Sequence, residues 1–158
     1  MNKRSTILLA ATLTLSTAVV VAQQSDAGAR ITAAAEMQWK AGPPTLPSGA
    51  QIVVLDGDPT KPGPFTIRLK IPAGYQIPPH THPAAAERIT VISGAVRLGI
   101  GEKFDASGGR ELQAGGFAVV PAGVPHCASA SSDAILQIHS EGPFERKFVD
   151  PAHDPAHR

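Results

Sequence analysis

Cysteine is nearly absent: Cys127 is the only thiol, so no disulfide can close within the chain and stability must come from packing or from a bound ion. Aromatic residues are also few, with one Trp, one Tyr and five Phe. They form no stacking platform of the kind a carbohydrate-binding surface uses. Charge of one sign is missing. Fourteen Lys and Arg stand against 13 Asp and Glu, a formal net charge of +1, without the basic excess of a nucleic-acid or anionic-membrane surface. The chain carries no nucleophile-elbow pattern for a Ser-His-Asp hydrolase. Glycine pairs such as Gly99 and Gly101 lack a phosphate-loop spacing and mark turns.

A long apolar run occurs only at the N-terminus. Asn2, Lys3 and Arg4 precede the apolar stretch Ile7 to Val21, which is interrupted by Thr12, Thr14, Ser16 and Thr17 and is short for a spanning helix. This pattern predicts a secretory signal peptide over residues 1–22, with Val20, Val21 and Ala22 ahead of the cut and a weaker site at Ala27, Gly28 and Ala29. Removing Lys3 and Arg4 turns the small positive balance slightly negative. The expected location is the periplasm or the exterior, with no membrane contact after cleavage.

The remaining length fits one domain with one core. Residues 23–50 read as an N-terminal arm, Ala-rich from Ile31 to Lys40 and suited to a short helix. That helix ends before Gly42, Pro43, Pro44 and Pro47. From residue 51 the period becomes two. Phe65, Ile67, Leu69 and Ile71 alternate with Thr66, Arg68 and Lys70, and Val96, Leu98 and Ile100 alternate with Ala95, Arg97 and Gly99. These are half-buried strands. Further strands are expected over 52–55, 88–93, 117–120, 134–139 and 146–149. The 15 glycines and 15 prolines punctuate the gaps. Many short strands imply an all-β sandwich or small barrel over 51–150, with a frayed tail over 151–158.

Three of the six histidines and one acid carry the chemistry. His80 and His82 stand two apart, so on a strand both imidazoles face one side and can reach one ion. Pro83 and three alanines allow a turn that brings Glu87 into the next strand, sharing the inward parity of Ile89 and Val91. His126 arrives after Pro121, Ala122, Gly123, Val124 and Pro125, a turn-forming segment that fixes its approach.

These residues form two ordered motifs. The first runs Gly74, five residues, His80, Thr81, His82, four residues, Glu87, six residues, Gly94. The second runs Gly115, five residues, Pro121, Ala122, Gly123, two residues, His126, with Ala130 where a closing Asn is usual. In both, the chain resembles the cupin superfamily. Its closing segment Gln137, Ile138, His139, Gly142, Pro143 and Phe144 resembles small single-domain bacterial cupins. The resemblance implies a jelly-roll β-barrel of six to eight strands with one divalent transition metal ion inside its mouth, held by His80, His82, Glu87 and His126. It also implies a homodimer, since single-domain cupins often pair sheet edges.

Three neutral imidazoles and a carboxylate leave one or two positions open on an octahedral ion. Such a site suits Fe, Mn, Ni or Co, with Zn competing by intrinsic affinity. Two function classes follow. One is a metalloenzyme for a small organic substrate, working by dioxygenase-like or Lewis-acid chemistry, with Glu87 as ligand and candidate base. The other is a noncatalytic metal- or small-ligand-binding protein of the cell envelope. Strand parity makes Ile89, Val91, Leu98 and Val119 candidate lining of an apolar cavity. Gln137 and His139 share a parity that either lines the cavity or faces solvent. Arg68 reads as a solvated strand residue, Cys127 as a small packed residue, and Trp39 and Tyr75 as packing or rim residues.

Overall fold

The computed structural model describes residues 28–103, 105 and 108–155. The expected leader over residues 1–22 and the tail residue His157 lie outside them. Residues up to Ile31 belong to a unit apart from Thr32–Arg158. Its described part, 28–31, is exposed and has no strand or helix.

The unit Thr32–Arg158 is built from antiparallel strands in two sheets. One contains β1 (Lys40–Ala41), β2 (Gln51–Asp56), β3 (Gly63–Ile71), β5 (Glu87–Ser93), β8 (Phe117–Val120) and β10 (Ala134–Gly142). The other contains β4 (Gln76–Thr81), β6 (Ala95–Ile100), β7 (Arg110–Gln113), β9 (His126–Ala130) and β11 (Lys147–Phe148). Their orders are β1-β2-β3-β10-β5-β8 and β11-β4-β9-β6-β7. This is a jelly-roll barrel, in which the chain crosses repeatedly between two facing sheets.

The alternation on β3 explains its central place. Phe65, Ile67, Leu69 and Ile71 are buried while Thr66, Arg68 and Lys70 are not. Its partner β10 repeats the pattern, and the register sets Leu136 against Leu69 and Ile138 against Ile67. Each such side chain removed from water contributes about 1.5–3 kcal/mol. Val91, Val96, Tyr75 and Ile77 complete the core between the sheets. On β6 burial fades from Val96 to Ile100, which is 65% exposed.

Short 3-10 turns flank the barrel on both sides. The helix expected over 31–40 is a single 3-10 turn, Ala34–Glu36, whose Glu36 carboxylate accepts from the Ala33 N–H at 2.9 Å. Ten residues followed by a proline cluster are too few to sustain an isolated helix. The chain instead adds β1 to β2 and buries Leu46 and Ala50 in the core, while the Tyr75 hydroxyl donates to the Pro47 carbonyl. At the other end Pro151–His153 forms a second 3-10 turn, with Asp150 accepting from the Ala152 N–H at 2.9 Å. No helix among the described residues is long and apolar enough to cross a membrane.

Candidate metal centre

The first sheet contributes one of the four candidate ligands and the second, directly or through its loops, the other three. His80 lies near the end of β4, and His82 follows just beyond it. Along β4 the buried parity changes, with Ile77 and then His80 inward, because the register against β9 slips by one residue between them. Pro78 and Pro79 occupy the slip. Neither can donate to the ladder, and the resulting bulge turns both histidines inward. Glu87 opens β5 with the parity of Ile89 and Val91, all three buried. His126 opens β9 opposite His80. It is aimed by the turn before it, whose Gly123 N–H donates to the His82 carbonyl at 2.9 Å.

All four side chains are buried, and their ligating atoms lie within 4.8 Å of one another. Metal–ligand bonds of about 2.1 Å place donor atoms at most about 4.2 Å apart, so small side-chain shifts close the set around one ion. The tautomers are fixed as well. His80 Nδ1 meets the Pro78 carbonyl at 2.8 Å, His82 Nδ1 the Glu145 carbonyl at 2.6 Å and His126 Nδ1 the Val124 carbonyl at 3.0 Å. A carbonyl only accepts, so each Nδ1 must carry the proton and each Nε2 offers a lone pair inward. His82 Nε2 is buried without a hydrogen-bond partner. His126 Nε2 and His82 Nε2 lie 3.0 and 3.7 Å from Glu87 Oε2. Two acceptors 3.0 Å apart require a cation between them, either a proton or a metal ion.

Protonation states favour the metal. Burial first, then the nearby Arg146 charge, holds His80 at about 2, against an ordinary 6.5. Burial likewise lowers His82 to about 4, with Glu87 opposing and Arg146 assisting. For Glu87 burial works toward the neutral acid, but the neighbouring His126, His82 and Arg146 outweigh it and hold its carboxyl below the usual range. Unprotonated His80 and His82 and an ionised carboxylate are the forms a divalent ion binds.

The pattern of the chain matches the family model described as a cupin domain over residues 67–140. Residues 67–140 form a cupin domain. Solved cupin-fold structures resemble it along most of their length. KdgF from Halomonas sp. is 21% identical, with 72% of this chain and 93% of that chain covered, at a TM-score of 0.57. A putative acetylacetone dioxygenase from Methylibium petroleiphilum PM1 is 22% identical, covering 80% and 85%, at 0.61. The polyketide cyclase RemF from Streptomyces resistomycificus is 15% identical, covering 81% and 90%, at 0.66. No curated protein matches this cupin.

Three consecutive residues that strand periodicity does not single out complete the centre. Phe144 stacks on His82 with ring centroids 3.9 Å apart and planes 11° from parallel, and its ring meets Phe65 edge-on at 5.1 Å. Glu145 supplies the carbonyl that orients His82, and Arg146 sets the local potential. The Gly142-Pro143-Phe144 run of the closing segment was the available signal for this strap.

The cavity lining expected from parity needs correction. Ile89 and Val91 point inward but are packed into the core. Val119 pairs with Arg88 on the outward parity of β8 and is 51% exposed. With Leu98 it lines an open depression along β7 and β8 that includes none of the four ligands. Gln137 and His139 lie on the outer face of β10, opposite to Leu136 and Ile138. There Arg68 Nε donates to Gln137 Oε1 at 3.0 Å, and His139 Nδ1 meets Thr66 Oγ1 at 2.8 Å. Parity placed these residues on a common face but not on the inner one, because Ile67, Leu69, Leu136 and Ile138 already fill the inside. Arg68 is therefore part of a cross-strand polar cluster and also reaches Met37. Cys127 is buried on the side of β9 away from His126, against Gly99.

Proposed function

We propose that this cupin is an exported mononuclear metalloenzyme that acts on a small organic substrate by dioxygenase-like or Lewis-acid chemistry. The observation that carries the reading is the set of three inward Nε2 lone pairs, each fixed by an Nδ1–H bond to a backbone carbonyl, around a buried carboxylate. His80, His82 and His126 would hold the ion, with Glu87 as fourth ligand. A divalent transition metal bound there would supply open coordination positions that polarise a substrate oxygen or engage dioxygen.

The chain's own residues do the rest. Phe144 keeps the His82 ring in plane, and the strap Phe144–Arg146 screens the ligands from bulk water. Glu87 is ionised and sits within the ligand cluster, so its carboxylate oxygen can take a proton from a bound substrate. The barrel shared with a putative acetylacetone dioxygenase and a polyketide cyclase is compatible with such chemistry and does not select the reaction. Export and a homodimer belong to the same proposal, supported by the leader-like N-terminus and the exposed apolar residues Phe117 and Val119 on edge strand β8.

Elemental analysis of protein from the periplasmic fraction, wild type beside His82→Ala, tests the centre. Near-stoichiometric Fe, Mn, Ni, Co or Zn that falls at least about tenfold in the variant supports it. Wild-type protein without metal, and without uptake on reconstitution, overturns it.

A further inference from the structure

A cavity of about 410 Å³ lies under the N-terminal arm, between β1 with its following loop and the inner face of the first sheet. Its body is apolar, with Leu46, Ile52, Ile67, Leu69 and Ile138 in the wall. Phe144 also lines it, with its ring stacked on His82, so the cavity and the ligand cluster share a wall. Two of the lining residues, Lys40 and Arg146, are cationic and none is acidic.

Arg146 is the decisive residue. Its Nη1 donates to the Thr45 carbonyl at 3.1 Å and reaches Thr45 Oγ1 at 3.5 Å, which ties the guanidinium to the arm. Its Nε is shut off from solvent and has no hydrogen-bond partner. A buried donor left unmade is costly, more so on a charged group. Glu87, then Tyr75 and Asp154, lie near enough to favour the Arg146 charge, and the Glu87 carboxylate is already engaged by His126 and His82. On the cavity side the guanidinium meets the Thr45 carbonyl and hydroxyl but no carboxylate among the lining residues. A guanidinium edge pairs best with a planar carboxylate, through charge-assisted hydrogen bonds.

We propose that this cavity binds a small apolar molecule bearing one carboxylate, with the carboxylate at the Arg146 guanidinium and the apolar body against Leu46, Ile67, Leu69 and Ile138. The acid end then sits on the side of the cavity nearest the metal ligands. This assigns a substrate class to the centre and rests on the metalloenzyme reading for its catalytic meaning, although the binding itself does not.

The test uses the full chain, stripped of metal by chelation and separately reloaded with Ni(II), titrated with benzoate and with the matched neutral benzamide. Calorimetry gives the affinities, and methyl NMR locates the site. Benzoate is expected to bind metal-free protein at least about tenfold more tightly than benzamide. It should also shift the methyls of Leu46, Ile67, Leu69 and Ile138. Arg146→Met should weaken benzoate at least about tenfold and leave benzamide unchanged, with Arg146→Lys between. Equal binding of the two probes to wild-type protein, or benzoate that moves none of those methyls, overturns the proposal, and neither result depends on a variant folding. A chain that binds benzoate but takes up no Ni(II) keeps this site and overturns the metalloenzyme reading. Ni(II) uptake with no preference for benzoate does the reverse.

Discussion

Acidifying metal-free protein from pH 7 to pH 5 should destabilise it by about 4 kcal/mol through His80 and His82 alone. In the unfolded chain both imidazoles titrate near 6.5, whereas in the barrel burial, assisted by Arg146, holds His80 at about 2 and His82 at about 4. The native state therefore binds fewer protons than the unfolded state throughout the interval between those values. Stability is fully present above 6.5 and is lost as pH falls, down to about 4 for His82 and about 2 for His80. Integrated to pH 5, each histidine accounts for about 2 kcal/mol. Glu87, whose carboxyl is held below its ordinary 4.5, keeps its contribution over this range and loses it only at lower pH. Urea unfolding of chelated protein at the two pH values, followed by circular dichroism, measures the loss. The same comparison on His80→Asn/His82→Asn removes the contribution of the other titrating groups. If wild type and double variant lose stability equally, to within about 1 kcal/mol, the buried, neutral state of these imidazoles is refuted.

Two further outcomes follow from packing. Phe144→Ala removes a half-buried ring from His82 and Phe65 and should cost about 2–3 kcal/mol in urea unfolding. It should also weaken Ni(II) binding about tenfold by calorimetry, because the ring that orients His82 is gone; unchanged Ni(II) affinity would remove Phe144 from the centre. Gly94→Ala should cost at least about 3 kcal/mol. Its φ is 75°, and a Cβ there would stand 2.1 Å from the Asp133 carbonyl oxygen and 2.8 Å from Ala134 Cα, backbone atoms that cannot yield. Gly74→Ala, at a φ of 77° but facing open space, should cost only about 1 kcal/mol. Equal costs at the two positions in urea unfolding would show that close approach is not what requires Gly94.

Period-two patterning on β3, β5, β6 and β10 was legible because side-chain alternation is a local property that one segment displays without its partners. The four ligands were legible because their spacing encodes strand parity and tight turns, both settled within a few residues. Arg110–Gln113 and His126–Ala130 were less visible as strands. One is almost wholly polar and lies at a sheet edge, and the other is built of small residues between two neighbouring strands.

The amino-acid order alone determined that this chain forms a β-barrel and that His80, His82, Glu87 and His126 meet in a cluster that could hold a metal ion. Only the tertiary structure decided which face of β10 is inside, because alternation is unchanged when both faces are exchanged and the packing of Leu136 and Ile138 against β3 breaks the tie. Tertiary structure also gave Phe144, Glu145 and Arg146 their roles. They act on groups more than sixty residues distant in Phe65 and His82 and on the arm at Thr45, contacts that no local spacing encodes.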